Sequence, residues 1–188
     1  MTVATATLRA ALATSIDARV RAAIEEHYEP LWRFLRRMGV DESHVEDAAQ
    51  QVLLVFAQRG DDIAPAVVRS FLFGTALRVA SDFRRRRDRH VVAADLGALH
   101  EHAHPAPDAE AQVSESELRR LLDRTLDELA PELRAVFVLA ELEEMTMAEV
   151  ARALDIPPGT VASRLRRARA VFAEKASELR PHIEKGMP

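Results

Sequence analysis

Met145–Phe172 reads MTMAEVARALDIPPGTVASRLRRARAVF, and the fold follows from this stretch. Thr146 is a helix cap, and Glu149 three residues later completes a capping box. Met147, Val150, Ala151 and Leu154 then recur at helical spacing, which predicts a short helix with one apolar face. Asp155-Ile156-Pro157-Pro158-Gly159 interrupts it, because proline does not continue a helix and glycine is expected to relax the turn. Thr160 is expected to cap the helix that follows. The pattern is a helix-turn-helix.

The second helix of the pair carries the functional signal. At about 100° per residue, Val161, Leu165, Ala168 and Phe172 form one stripe and are expected to face a core. Ser163, Arg166, Arg167 and Ala170 fall opposite, with Arg164 and Arg169 on the flanks. A hydroxyl and long guanidiniums among small residues suit a major groove. Arginine forks match phosphate oxygens or a guanine edge bidentately. The bland alternative is a solvated arginine-rich surface. The capped helix, the short turn and the division of faces favour DNA.

Composition sets the frame. Hydrophobic residues make up 48% of the 188, enough for compact helical cores, while six glycines and one tyrosine argue against extensive β-structure. The chain lacks cysteine, which removes disulfides, thiolate metal sites and thiol nucleophiles and suits a cytoplasmic protein. Residues 1–15 lack a clustered basic start and a sustained apolar run, so no signal peptide is read there. No stretch reaches the length of a membrane span. The net charge of −4 speaks superficially against nucleic acid. Its distribution reverses that inference, since basic residues gather on particular helices and residues 91–115 hold only acidic charge.

In chain order, residues 1–15 are expected to form a flexible tail. Residues 16–90 form a first helical domain. Ile16–Met38 is predicted helical, with Ile24, Tyr28, Leu31, Trp32 and Leu35 on its buried face, and Gly39 ends it. Ser43–Gln58 forms the next helix, begun at Asp41 or Ser43, with Val45, Ala49, Val52 and Phe56 inward. Its other face holds Asp47, Gln50, Gln51, Leu54 and Gln58. A leucine among acid and amide groups there reads either as a protein-docking surface or as one exposed leucine. Gly60–Val68 is read as a loop. Ser70–Arg87 is a third helix with Leu72, Ala76, Val79, Ala80 and Phe83 inward. Phe71, Arg78 and Asp82 lie on its other side, and Arg84–Arg87 close it. Four arginines beside an exposed aromatic resemble a nucleic-acid surface.

Residues 91–115 lose periodicity and read as a flexible acidic linker. The histidines of HEHAH (His100, His102, His104) are the only metal-like spacing, and nothing around them completes a site. Residues 116–180 form a second helical domain. Its first helix, Ser116–Leu129, is expected to bury Leu118, Leu121, Leu122, Leu126 and Leu129. Pro131 opens the next, and the helix-turn-helix follows, with its last helix running to about Leu179. Residues 181–188 are a tail. The fold class is all-α: two small helical domains on a flexible linker.

Two stretches in this order carry a family resemblance. EDAAQQVLLVFAQ (Glu46–Gln58) followed by FLFGTALRVASDFRRRR (Phe71–Arg87) resembles the promoter-melting domain of bacterial sigma factors. LDELAPELRAVFVLAELEEMTMAEVARALDIPPGTVASRLRRAR (Leu126–Arg169) closely resembles their C-terminal promoter-reading domain. With only these two domains, the chain is similar to an extracytoplasmic-function (ECF) sigma factor. The resemblance implies a transcription initiation factor that directs core RNA polymerase to promoters. It assigns Asp47, Gln50, Gln51 and Leu54 to the β′ clamp helices. Phe71, Arg78, Asp82, Arg85 and Arg86, with the loop before them, go to the −10 element. The positions that match the −35 contacts are Ala162, Ser163, Arg166 and Arg167, and Thr160 and Arg164 beside them are assigned to the same element. Implied partners are the polymerase core with its β flap, promoter DNA and an anti-sigma factor, with no cofactor. The chain departs from the family pattern at Gln51, Arg78 and Ala162, commonly glutamate, asparagine and a basic residue. The promoter consensus therefore does not transfer.

Other readings predict different behaviour. A dimeric operator-binding regulator would bind symmetric sites alone, leaving the Asp47–Leu54 face and the basic third helix without a role. An interaction protein would hold polymerase or a regulator without reading DNA. No nucleotide-binding glycine loop or catalytic constellation supports an enzyme.

Overall fold

The computed structural model describes residues 3–59, 62–94 and 121–184, with side chains over 18–59, 62–86 and 121–177. Every regular element among the described residues is helical. The first group comprises α1 (Val3–Arg37), α2 (Glu42–Arg59), a 3-10 turn at Pro65–Val67 and α3 (Val68–Ala94). The second comprises α4 (121–127), α5 (Pro131–Phe137), a π-helical segment (Val138–Leu142), α6 (Met147–Leu154) and α7 (Pro158–Glu184).

Gly39 ends α1 as its sequence suggests. At φ +86° it occupies the left-handed region open to glycine, and the Gly39 and Val40 amides donate back to the Arg36 and Leu35 carbonyls. The first core forms where α1, α2 and α3 meet. Phe34 and Phe73, both fully buried, cross edge-to-face with centroids 5.2 Å apart. Val45, Ala49, Val52 and Phe56 from α2 and Leu72, Ala76, Val79 and Ala80 from α3 are buried as the wheels require. In the second core Leu126, Leu129, Val136 and Leu139 are buried, and Phe137 stacks on Phe172 at 4.5 Å. Arg134 is buried there too, bonded to the Asp127 carboxylate at 2.9 Å.

Several expectations need correction. The segment expected as a tail, 1–15, belongs to α1 from Val3, because an alanine-rich run has high helical propensity. The buried line of α1 passes through Ala23, His27, Leu31, Phe34 and Met38, whereas Ile24 is 40% exposed and Tyr28 and Trp32 are half-buried. Burial pushes the His27 imidazole below its usual pKa, so this ring is a neutral packing group near pH 7. Helix α3 continues to Ala94, past the boundary expected at residue 90, and α7 runs through Pro181 to Glu184. Gly60, Asp61, the rest of the linker and the HEHAH histidines lie outside the described residues.

The turn of the helix-turn-helix differs in detail. Asp155, not Gly159, takes the left-handed conformation (φ 53°, ψ 47°). The Ile156 amide donates to the Ala151 carbonyl at 3.1 Å and the Asp155 amide to Arg152 at 3.4 Å, a Schellman closure. Pro158 then starts α7 at a position that tolerates proline, and Gly159 falls inside the first turn. Thr160 is therefore not the cap: its amide donates to the Pro157 carbonyl as part of that turn.

Candidate nucleic-acid and polymerase interface

Helix α6 starts with the capping box read from its sequence. The Thr146 amide donates to Glu149 Oε2 at 2.8 Å, and the Glu149 amide donates to Thr146 Oγ1 at 3.3 Å. The Thr146 hydroxyl and amide hold the Glu149 carboxyl below the usual glutamate range. This fixes where α6 begins. The Schellman turn then fixes the direction in which α7 leaves.

Along α7 the division of faces is sharp. Val161, Leu165 and Ala168 are buried, while Ala162, Ser163, Arg166 and Arg167 are exposed and Arg164 and Thr160 are half-exposed. The Ser163 hydroxyl donates to the Thr160 carbonyl at 3.0 Å, which leaves its oxygen free to accept from an amino group of a base. Ala162, Ser163, Arg166 and Arg167 are thus brought onto one surface. Phe172 is half-buried against Phe137 rather than fully interior.

On α2 the structure separates the candidates from the core equally well. Asp47, Gln50, Gln51 and Gln58 are exposed, and Leu54 is 61% exposed, the most open large hydrophobic among the described residues. One apolar side chain standing amid short polar ones is a usable anchor for a protein partner.

The third set is arranged differently from its sequence reading. Arg78 and Asp82 are exposed, with the Arg78 guanidinium donating to Thr75 Oγ1 at 3.1 Å. Arg85 and Arg86 are exposed further along, and Arg86 lies 5.9 Å from the Phe83 ring. Phe71 is not an exposed aromatic. It is half-buried, 6.2 Å from the Phe56 ring, and it lines a cavity of about 340 Å³. Arg78 lines the same cavity from α3, and Arg152, Ala153 and Asp155 close it from the helix-turn-helix. Ser70, Gly74 and Thr75 are buried on this side of α3. A glycine in mid-helix costs about 1 kcal/mol relative to alanine, so Gly74 was the one readable sign of a close approach here.

Comparison with known proteins now bears on this geometry. The family description "Sigma-70 region 2" matches residues 23–90, and "Sigma-70, region 4" matches residues 119–171. The ECF RNA polymerase sigma factor SigL of Mycobacterium tuberculosis is 34% identical over 153 residues, spanning 79% of this chain and 83% of the relative. The chain belongs to the ECF RNA polymerase sigma factors. Its function is promoter-specific initiation of transcription, and the stand-alone operator-binding reading falls away. The ECF sigma-E factor of Escherichia coli K12 is 28% identical over 117 residues, 58% of this chain and 61% of that one. Two solved structures share the fold. CnrH in complex with the cytosolic domain of CnrY matches with a TM-score of 0.64 at 23% identity, covering 84% of this chain and 87% of that one. RpoE with the anti-sigma factor NepR from Bartonella quintana matches at 0.66 and 19%, covering 84% and 96%. In this sigma factor the region 2 match takes in α2 with the adjoining parts of α1 and α3, and the region 4 match takes in α5, α6 and the first half of α7.

Proposed function

We propose a residue-level division of labour for this ECF sigma factor. Core RNA polymerase is gripped by the α2 face of Asp47, Gln50, Gln51 and Leu54 on the β′ clamp helices, while the second domain rests on the β flap. Phe71, Arg78, Asp82, Arg85 and Arg86 bind the −10 element as it opens. Thr160, Ser163, Arg164, Arg166 and Arg167 bind the −35 element, with Ser163, Arg166 and Arg167 at base edges or the phosphates beside them. Residues 16–90 and 116–180 act as the two working units and 91–115 as the tether. The factor works in the cytoplasm, and an anti-sigma factor is a further partner. It supplies binding energy rather than chemistry, so melting proceeds by holding unpaired bases on a basic surface.

The observation that carries this reading is the outward row Ser163, Arg166 and Arg167 on a helix whose inward row is sealed by Val161, Leu165 and Ala168. Such a helix offers side chains to a major groove in a single rotational setting. The test is run-off transcription with purified core polymerase on templates randomised in both elements. Arg166→Ala and Arg167→Ala are expected to relax preference at −35 positions, each by about 1–3 kcal/mol for a bidentate contact. Neutralising Arg85 and Arg86 is expected to weaken all promoters and flatten the salt dependence. Uniform loss at every promoter for the α7 variants would overturn base reading by these arginines.

A further inference from the structure

The stretch between α2 and α3 keeps its shape through few contacts. None of Pro65, Ala66 and Val67 in its 3-10 turn is buried, and the bonds of the turn are local, from the Val67 amide to Ala64 and from the Val68 amide to Pro65. Pro65 and Ala66 border a cavity of about 600 Å³ together with Arg19, Ala22 and Ala23 of α1, so close packing does not back the turn on that side. Ile63 is where the stretch is tied down. Its side chain is buried and lines the smaller cavity beside Phe71 and Arg78. Its carbonyl accepts from the Arg19 guanidinium at 2.6 Å, across 44 residues of chain. Arg19 lies in α1, ahead of residue 23, where the region 2 match begins.

We infer that Arg19 is a positioning residue for −10 recognition: it fixes the backbone of residues 62–67 and, through Ile63, the cavity wall beside Phe71 and Arg78, without itself touching DNA. The inference rests on the assignment of Phe71, Arg78 and the loop before them to the −10 element. The chemistry of the tie suits a dedicated hold. A guanidinium donating to a carbonyl in a half-buried place makes a shorter and stronger bond than a neutral donor. Its planar fork is rigid, so a single bond also fixes the direction in which the carbonyl points. Among the described residues the Ile63 carbonyl is the only hydrogen-bond partner of Arg19. The bond is made to backbone, so it sets the path of the loop whatever side chains the loop carries. A phosphate contact by Arg19 would behave differently, since its loss would weaken every promoter alike and flatten the salt dependence.

The test compares full-length wild type, Arg19→Ala and Arg19→Lys in transcription by core polymerase on templates randomised in both elements. Alanine suits a helix, so α1 is kept while the bond is lost. Arg19→Ala is expected to flatten −10 base preference by about tenfold, as for one charge-assisted bond, with −35 preference and salt dependence unchanged. Arg19→Lys keeps a donor and is expected to restore most of that preference. Hydrogen exchange on the same chains gives a second readout. The Val67 amide is expected to exchange about tenfold faster in Arg19→Ala, while the amides of α3 keep their wild-type rates. Unchanged −10 preference, equal flattening at both elements, a shallower salt slope, or unchanged exchange at Val67 would each overturn the inference. Arg78→Ala and Asp82→Ala show where a failure lies. If they too leave −10 preference untouched, the −10 assignment is wrong, whereas a shift in them alone removes only the role of Arg19.

Discussion

Arg169 on α7 reaches back to Glu141 in the π segment, donating from Nε at 2.9 Å and from a terminal nitrogen at 2.6 Å to the same carboxylate oxygen. The pair spans 28 residues and steadies the recognition helix on the element beneath it. Arg169 is thereby distinguished from Arg166 and Arg167, whose wheel positions face away from the protein.

Arg169→Ala is therefore expected to act on stability rather than on promoter choice. The guanidinium is 60% exposed, so the loss should be no more than about 1 kcal/mol. Thermal denaturation combined with transcription from the randomised templates separates the two effects. A shift in −35 preference as large as that of Arg166→Ala would place Arg169 at the DNA.

Leu54→Arg should weaken binding to core polymerase and leave the fold nearly untouched. The side chain is 61% exposed, and substitutions at such sites usually stay within about 0.5 kcal/mol. Its neighbour Leu53 is 8% exposed, and Leu53→Ala should cost about 2–5 kcal/mol. Core affinity and melting temperature, measured on both variants, should change in opposite patterns. Equal core affinity for Leu54→Arg and wild type would remove this residue from the docking surface.

The capping box gives α6 a pH signature. Glu149 has its pKa lowered by the Thr146 hydroxyl and amide, so its contribution to stability is present above the ordinary glutamate value of 4.5 and fades as pH falls through the depressed folded value. Thr146→Ala should cost about 0.5–2 kcal/mol near pH 7. The gap between wild type and variant should narrow on acidification below that range. A gap that stays constant down to complete protonation would mean the cap acts without the carboxylate.

Asp155 tests the turn. Its left-handed backbone is open to aspartate but strained for a β-branched residue. Asp155→Gly should fold at least as well as wild type, whereas Asp155→Val should lose about 1–2 kcal/mol. Gly159→Ala should be neutral or stabilising, since its added methyl meets nothing within 4 Å and its position is helical. Chemical denaturation of the three variants checks the order. Destabilisation by Gly159→Ala rather than by Asp155→Val would return the turn to the glycine.

Where one apolar line stood against polar neighbours, as on α2 and α7, periodicity located both the buried and the outward faces. On α1 two adjacent lines were available, and the larger residues, Ile24 among them, attracted the reading. The structure buries Ala23 and His27 instead, because the neighbouring helices and not side-chain size select the line. At the helix-turn-helix, residue type pointed to Gly159, but the two prolines shift the helix start and move the strained position to Asp155. Ser70 and Thr75 were unreadable as buried residues, and Gly74 signalled only that something comes close. What covers them arrives from α6, distant in sequence, and no local pattern carries that information.

The π segment Val138–Leu142 accommodates an extra residue in its turn compared with an α-helix. Deleting one residue there would restore α-helical winding and leave the two ends of the element in nearly the same rotational phase, because the wider turn carries its extra residue through about the same angle. Glu143 would then stay on the side that faces Arg37, and α2, α3 and α7 would keep their own internal phase. A single-codon change in length can thus be absorbed at this point without altering any residue on the outward faces of α2 or α7. A relative one residue shorter at this point is expected to keep the same contact across an unbroken α-helix.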